Sequence, residues 1–223
     1  MKKFILLAIF LAAQASISQE TKQLGDFDEV KVFDRITVEL IPSSENKIEI
    51  SGKRRKEVEV VNNNGELKIR MSVEKLLKGE DVEAKLYYKK LKSIDASEGA
   101  TIACAEQISQ TQMEITAKEG AQIRLHLDLT KADVKSVTGG IIKLTGKADE
   151  LDAKLGTGGI LYAKELVTSR TEIDLTAGGV AEINATDFVD ADVKAGGSII
   201  IFGSPKEINQ STALGGSIEE RKE

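Results

Sequence analysis

The chain has 223 residues, 41% of them apolar, and its 31 basic and 36 acidic side chains give a formal net charge of −5. That balance argues against nucleic acid or anionic lipid as a partner, since both reward basic patches. One cysteine leaves no internal disulfide, and with one histidine beside it the thiol and imidazole partners that nucleophilic or zinc chemistry wants are missing.

The chain opens on Met1-Lys2-Lys3, a basic start, followed by an unbroken apolar run from Phe4 to Ala13 and the small-residue site Ala13-Gln14-Ala15. This predicts a secretory signal peptide over residues 1–18, with Ser16-Ile17-Ser18 as an alternative cleavage site. The run is too short to cross a bilayer core of ~30 Å. No cysteine near either site offers a lipid anchor, and no second long apolar run follows. Loss of Lys2 and Lys3 leaves a net charge of about −7. The expected product is exported, not membrane-spanning, and resident in the periplasm or at the cell surface.

Residues 19–92 read as an N-terminal β region of short half-buried strands. Alternation marks Ile36/Val38/Leu40, Ile48/Ile50, Val58/Val60, Leu67/Ile69/Met71 and Val82/Ala84/Leu86/Tyr88. Turns fall at Pro42-Ser43-Ser44, Ser51-Gly52 and Asn62-Asn63-Asn64-Gly65, and Asn64-Gly65 is the clearest hairpin signal. Val73 to Leu77 suits a helical turn. Lys53-Arg54-Arg55-Lys56 reads as a solvated loop. This region is expected to pack on, or continue, the stack that follows and to shield its first edge.

Residues 93–219 repeat. Gly99-Ala100, Gly120-Ala121, Gly139-Gly140, Gly158-Gly159, Gly178-Gly179, Gly196-Gly197 and Gly215-Gly216 return every 18–21 residues. Six and four places before the second residue of each pair stand Ile94/Ala96, Ile115/Ala117, Val134/Ser136, Ala153/Leu155, Ile173/Leu175, Ala191/Val193 and, degenerating, Gln210/Thr212. Two and four places after it stand Ile102/Cys104, Ile123/Leu125, Ile142/Leu144, Leu161/Ala163, Ala181/Ile183, Ile199/Ile201 and Ile218/Glu220. Both columns have the two-residue period of a strand. Each repeat thus reads as strand, glycine corner, strand and polar return, with Gly99, Gly120, Gly140, Gly159, Gly179, Gly197 and Gly216 as structural residues that allow positive φ or a close approach. One such unit has no second layer to bury its apolar edge, so the units must stack. The expectation is an all-β, right-handed parallel β-helix of about seven coils. Glu220 breaks the column, and residues 220–223 form a charged tail.

The exported start, Phe27-Asp28-Glu29-Val30-Lys31-Val32 with Ile36-Thr37-Val38-Glu39-Leu40, then Asn64-Gly65-Glu66-Leu67-Lys68-Ile69 and the later Gly-Gly-x-Ile elements, together resemble the head GIN domain family over about 27–202. Members are labelled putative auto-transporter adhesins and are common in Bacteroidota. The resemblance implies an exported β-helix protein with an adhesin role, and it carries over no catalytic residue. The translocating barrel, long stalk and trimerising coiled coil of the adhesin idea have no counterpart in the pattern.

Chemistry-bearing residues are sparse. Cys104 falls in an inward column and reads as a small buried hydrophobe. His126, within Leu125-His126-Leu127-Asp128-Leu129, points outward. Gly156-Thr157-Gly158-Gly159 recurs as a corner with no helix after it, so it is not a phosphate loop. No cofactor and no resident metal are expected. The one constellation is an acidic ladder, Glu114, Asp133, Asp152, Glu172 and Asp190, repeating at ~4.8 Å along one face. Like charges that close must splay, pair or share a cation, and Lys135 and Lys154 lie nearby to neutralise part of it. A solvated acidic face is the main reading, and a weak divalent-cation or polycation strip is the other. Three function classes remain: a non-catalytic surface or periplasmic module binding a glycan or an envelope protein; a glycan-cleaving enzyme using paired carboxylates, Asp133 with Asp152 first; and a self-assembling homo-oligomer.

Overall fold

A computed structural model describes residues 19–221. The expected signal peptide over 1–18 and the last two residues of the charged tail lie outside them. The described residues form one 16-stranded sheet wound into a β-solenoid of about seven turns.

Four long strands make the central coils: β9 (Thr101–Lys118), β10 (Gln122–Val137), β11 (Ile141–Gly156) and β12 (Ile160–Leu175), followed by β13 (Val180–Val193). Each pairs in parallel with the next, so that Ile123, Ile142 and Leu161 stand in register, as do Val134, Ala153 and Ile173. These inward side chains are almost wholly buried. Each such Ile or Leu contributes roughly 2 kcal/mol by leaving water, and repetition of the column is what makes the core continuous. After β13 the coils break into β14 (Ser198–Phe202), β15 (Glu207–Thr212) and β16 (Ser217–Glu220). There Gln210, Thr212 and Glu220 replace the apolar column and are exposed, which gives the stack a polar end.

Between the two foreseen columns the structure differs from the sequence reading. The polar return is not a loop: each coil is one strand that bends, and the bend carries further inward residues. Ile108, Leu127, Gly146 and Leu166 form one added column, and Met113, Ala132, Leu151, Thr171 and Val189 another. The first is hard to see because the variation in repeat length falls beside it. Register shifts occur between Arg124 and His126, Lys143 and Thr145, and Tyr162 and Val167. A one-residue slip reverses the apparent face, so offsets counted forward from the preceding glycines lose the pattern there.

At the corners backbone bonds continue the stack, for example Gly120 N–H to Thr138 O at 3.2 Å and Gly139 N–H to Thr157 O at 3.1 Å. Two different needs for glycine meet here. Gly120 has φ +73° and open space where a Cβ would stand; a Cβ on Gly159 would lie 1.9 Å from the Ser136 carbonyl oxygen. The buried Ser136 hydroxyl ties the same corner, donating to Gly140 O at 2.6 Å and accepting from Ile160 N at 3.1 Å.

The N-terminal region extends both arms of the first coil. On one arm β3 (Thr37–Pro42) pairs in parallel with Thr101–Ala103 and with β7 (Glu83–Tyr88); β4 (Lys47–Ser51) and β1 (Glu20–Gln23) then add antiparallel. On the other, β8 (Ser93–Ala96) pairs with Glu114–Ala117, then β2 (Glu29–Val32) and β6 (Glu66–Met71) in parallel, and β5 (Val58–Asn63) closes antiparallel through the Asn64-Gly65 hairpin. Buried polar groups pin the connections. Asp34 accepts from Met71 N at 2.9 Å and Leu77 N at 2.7 Å, and Asn46 accepts from Lys89 N at 3.0 Å.

Candidate functional site

Parallel in-register stacking turns each outward position into a straight row. Glu114, Asp133, Asp152, Glu172 and Asp190 are Cα partners from coil to coil, so the acidic ladder exists as a row. Its middle members are paired within the face. Asp133 takes Lys131 at 2.9 Å and the Gln112 amide at 2.7 Å. Asp152 takes Lys154 at 3.6 Å, and Glu172 holds the Arg170 guanidinium at 2.7 and 3.1 Å. The hydrogen bond to Asp133 raises the Lys131 pKa above its ordinary value.

Lys154 does what the sequence indicated, whereas Lys135 makes no ion pair among the described residues. The missed partners, Lys131 and Arg170, lie two places before the ladder in a row of mixed chemistry with Gln112, Glu150 and Phe188. The hollow beside Asp152 and Glu172 measures about 60 Å³, too small for a sugar ring. Among the described residues no three carboxylate, imidazole or thiol groups converge as a metal ion would need.

The other singled-out residues are scattered. His126 is half-buried on the outward side, its Nδ1 3.0 Å from the Thr145 hydroxyl. Cys104 is buried and donates to the Glu106 carbonyl at 3.3 Å, and burial pushes its thiol pKa up. Beside it lies the Tyr88 hydroxyl, buried without a hydrogen bond of regular geometry and raised in pKa, first by burial.

Sequence reasoning missed one feature with the volume of a ligand site. An open groove of about 810 Å³ lies between Tyr88–Lys92 and Gln107–Gln112. Its signals were present: the first glycine spacing, at 21 residues, is the longest of the series, and Lys89, Lys90 and Lys92 form a basic run.

A family model described as "Putative auto-transporter adhesin, head GIN domain" matches residues 26–205. The chain belongs to the head GIN domain family. Solved structures agree on the fold. A protein labelled a putative adhesin from Bacteroides fragilis NCTC 9343 is 19% identical, with a TM-score of 0.84 over 92% of this chain and 96% of that one. A second putative adhesin, from Parabacteroides distasonis ATCC 8503, is 19% identical with a TM-score of 0.75 over the same shares. A protein labelled a putative lipid binding protein from the same strain is 18% identical, with a TM-score of 0.68 over 91% and 96%. No curated protein matches the chain. Among the described residues no helix is long and apolar enough to cross a membrane.

Proposed function

We propose that this head GIN domain protein is an exported, non-catalytic adhesin-like module, held in the periplasm or at the cell surface, that binds a glycan or an envelope protein. The observation that carries the reading is the register of the outer faces. Parallel pairing sets outward side chains in straight rows at ~4.8 Å intervals, the acidic row from Glu114 to Asp190 being uniform in charge, a geometry suited to a repetitive or extended partner. The adhesin description of the family and the adhesin labels of structural relatives point the same way. Export rests on the basic and apolar start over 1–18.

The absence of turnover is part of the proposal. Asp133 and Asp152, the first pair to suspect in a hydrolase, are each tied to a cation of the same face, and the hollow next to Asp152, about 60 Å³, is smaller than a sugar ring. A hydrolytic pair instead needs one carboxyl free to carry a proton and room for the sugar. A glycan array on the purified protein, with each bound glycan incubated and its length read by mass spectrometry, tests this. Binding without shortening is expected, and shortening would overturn the reading and move attention to Asp133 and Asp152.

A further inference from the structure

Strand β9 is paired with β10 along nearly all its length, but on its other side it is paired only near its two ends. Thr101–Ala103 meet β3, and Glu114–Ala117 meet β8. Between them, residues 104–113 have no strand partner on that side among the described residues. The cause is a division of the sheet. Leu40–Pro42 stay in register with Leu86–Tyr88 but no longer with β9. The 810 Å³ groove occupies the opening, a volume typical of ligand sites.

Three properties of this opening point to one kind of occupant. First, it offers a strand edge, and exposed edges invite another strand unless they are blunted. The two ends of the rod are managed, by antiparallel strands at one and a polar last coil at the other. Among the described residues the Gln110 amide reaches across to Leu91 O and also donates to Gln112 O of its own strand, at 2.7 Å each, and Glu114 N–H donates to Lys92 O at 2.9 Å where the opening closes. Second, Leu91 and Ile108 form a buried apolar floor, and the exposed Pro42 adds apolar surface to the lining. Third, Lys89, Lys90 and Lys92 stand on one wall. Asp26 holds Lys89 at 3.2 Å and Asp28 holds Lys92 at 2.5 Å, but Lys90 is exposed and makes no ion pair among the described residues. Lys89 and Lys90 also line a neighbouring hollow of about 550 Å³. Glu114 lies at the groove's end beside Lys92.

We propose that this groove binds an extended peptide segment by strand addition, a segment that alternates apolar and acidic side chains. Its backbone pairs with the open edge at Gln107–Gln112, its apolar side chains pack on the exposed Pro42 and the lysine stems above the Leu91 and Ile108 floor, and an acidic side chain meets Lys90. Main-chain pairing supplies affinity in such complexes, and alternate side chains supply selectivity. The site deepens the binding-module reading and rests on it, by naming the partner class.

The probe is a fluorescein-labelled octapeptide alternating valine and glutamate, titrated with the purified protein and followed by fluorescence anisotropy. Saturable binding is expected, at least about tenfold weaker when lysine replaces glutamate. Methylating the peptide nitrogens of the valines, or of the glutamates, should have unequal effects differing by about tenfold or more, because alternate N–H groups of a strand point to opposite edges. Lys90→Glu, with an unchanged melting temperature, should weaken the acidic peptide about three- to tenfold.

No saturation up to millimolar protein, equal effects of the two methylation patterns, or no response to Lys90→Glu would each overturn the site. A glycan bound intact alongside a silent peptide titration removes this site and leaves the module reading standing. A glycan cleaved removes the module reading itself.

Discussion

Glycine serves two purposes at the corners, and alanine substitution separates them. At Gly120 only the left-handed conformation opposes a side chain, so Gly120→Ala should cost about 1 kcal/mol. At Gly159, whose φ is not left-handed, a methyl group instead meets the Ser136 carbonyl, and Gly159→Ala should cost more than ~3 kcal/mol, read as a much larger fall in melting temperature. Equal losses would show that crowding does not govern the second position. Glu98 gives a pH signature at another corner. Burial raises its carboxyl pKa above the ordinary 4.5, and the charges of Asp34 and Glu119 raise it further. The folded chain therefore keeps a proton that the unfolded chain releases. That stabilisation is complete below about 4.5 and is lost as pH rises through the raised folded value. Glu98→Gln is expected to raise the melting temperature at pH 7 by about 1–2 °C, and to leave it unchanged near pH 3. A fall at pH 7 would reverse the sign.

At the scale of elements, the inward columns are the stabilising unit. Ile142 has no exposed surface and stands between Ile123 and Leu161. Ile142→Asp places a charge between coils with nothing to pair it, a loss beyond ~4 kcal/mol that should abolish cooperative thermal unfolding. A variant that melts like the wild type would displace Ile142 from the core.

These columns were legible in the sequence because glycine corners fix the phase on either side of them. The bending segments were not, since Arg124, Lys143 and Tyr162 each precede a register shift and the count from the corner fails beyond them. Lys131 and Arg170 keep a constant place before the next corner and were hidden as ladder partners instead because their row, Gln112, Lys131, Glu150, Arg170 and Phe188, is mixed in charge. The divided edge along Gln107–Gln112 was invisible for a different reason: it depends on where Leu40–Pro42 go, a long-range choice that no local pattern encodes. The hairpin at Asn64-Gly65 was legible because positive φ at both turn residues, 52° and 96°, is a local demand that Asn-Gly meets.

At the scale of the molecule, the rod is parallel within and finished differently at its ends, and both proposed surfaces depend on its register. The acidic ladder is a row only if successive coils align, and the peptide groove is an opening only if the first coil presents its edge there. Thr116, Lys135, Lys154, Asp174, Asp192 and Ser211 occupy one outward row, each the partner of the next. Spin labels at Thr116→Cys and Ser211→Cys, in a Cys104→Ala background, report its length by double electron–electron resonance. Five steps of ~4.8 Å predict a single distance of about 24 Å, broadened by the label arms. A distance beyond about 40 Å, or several distances, would contradict the in-register stack and with it both surfaces.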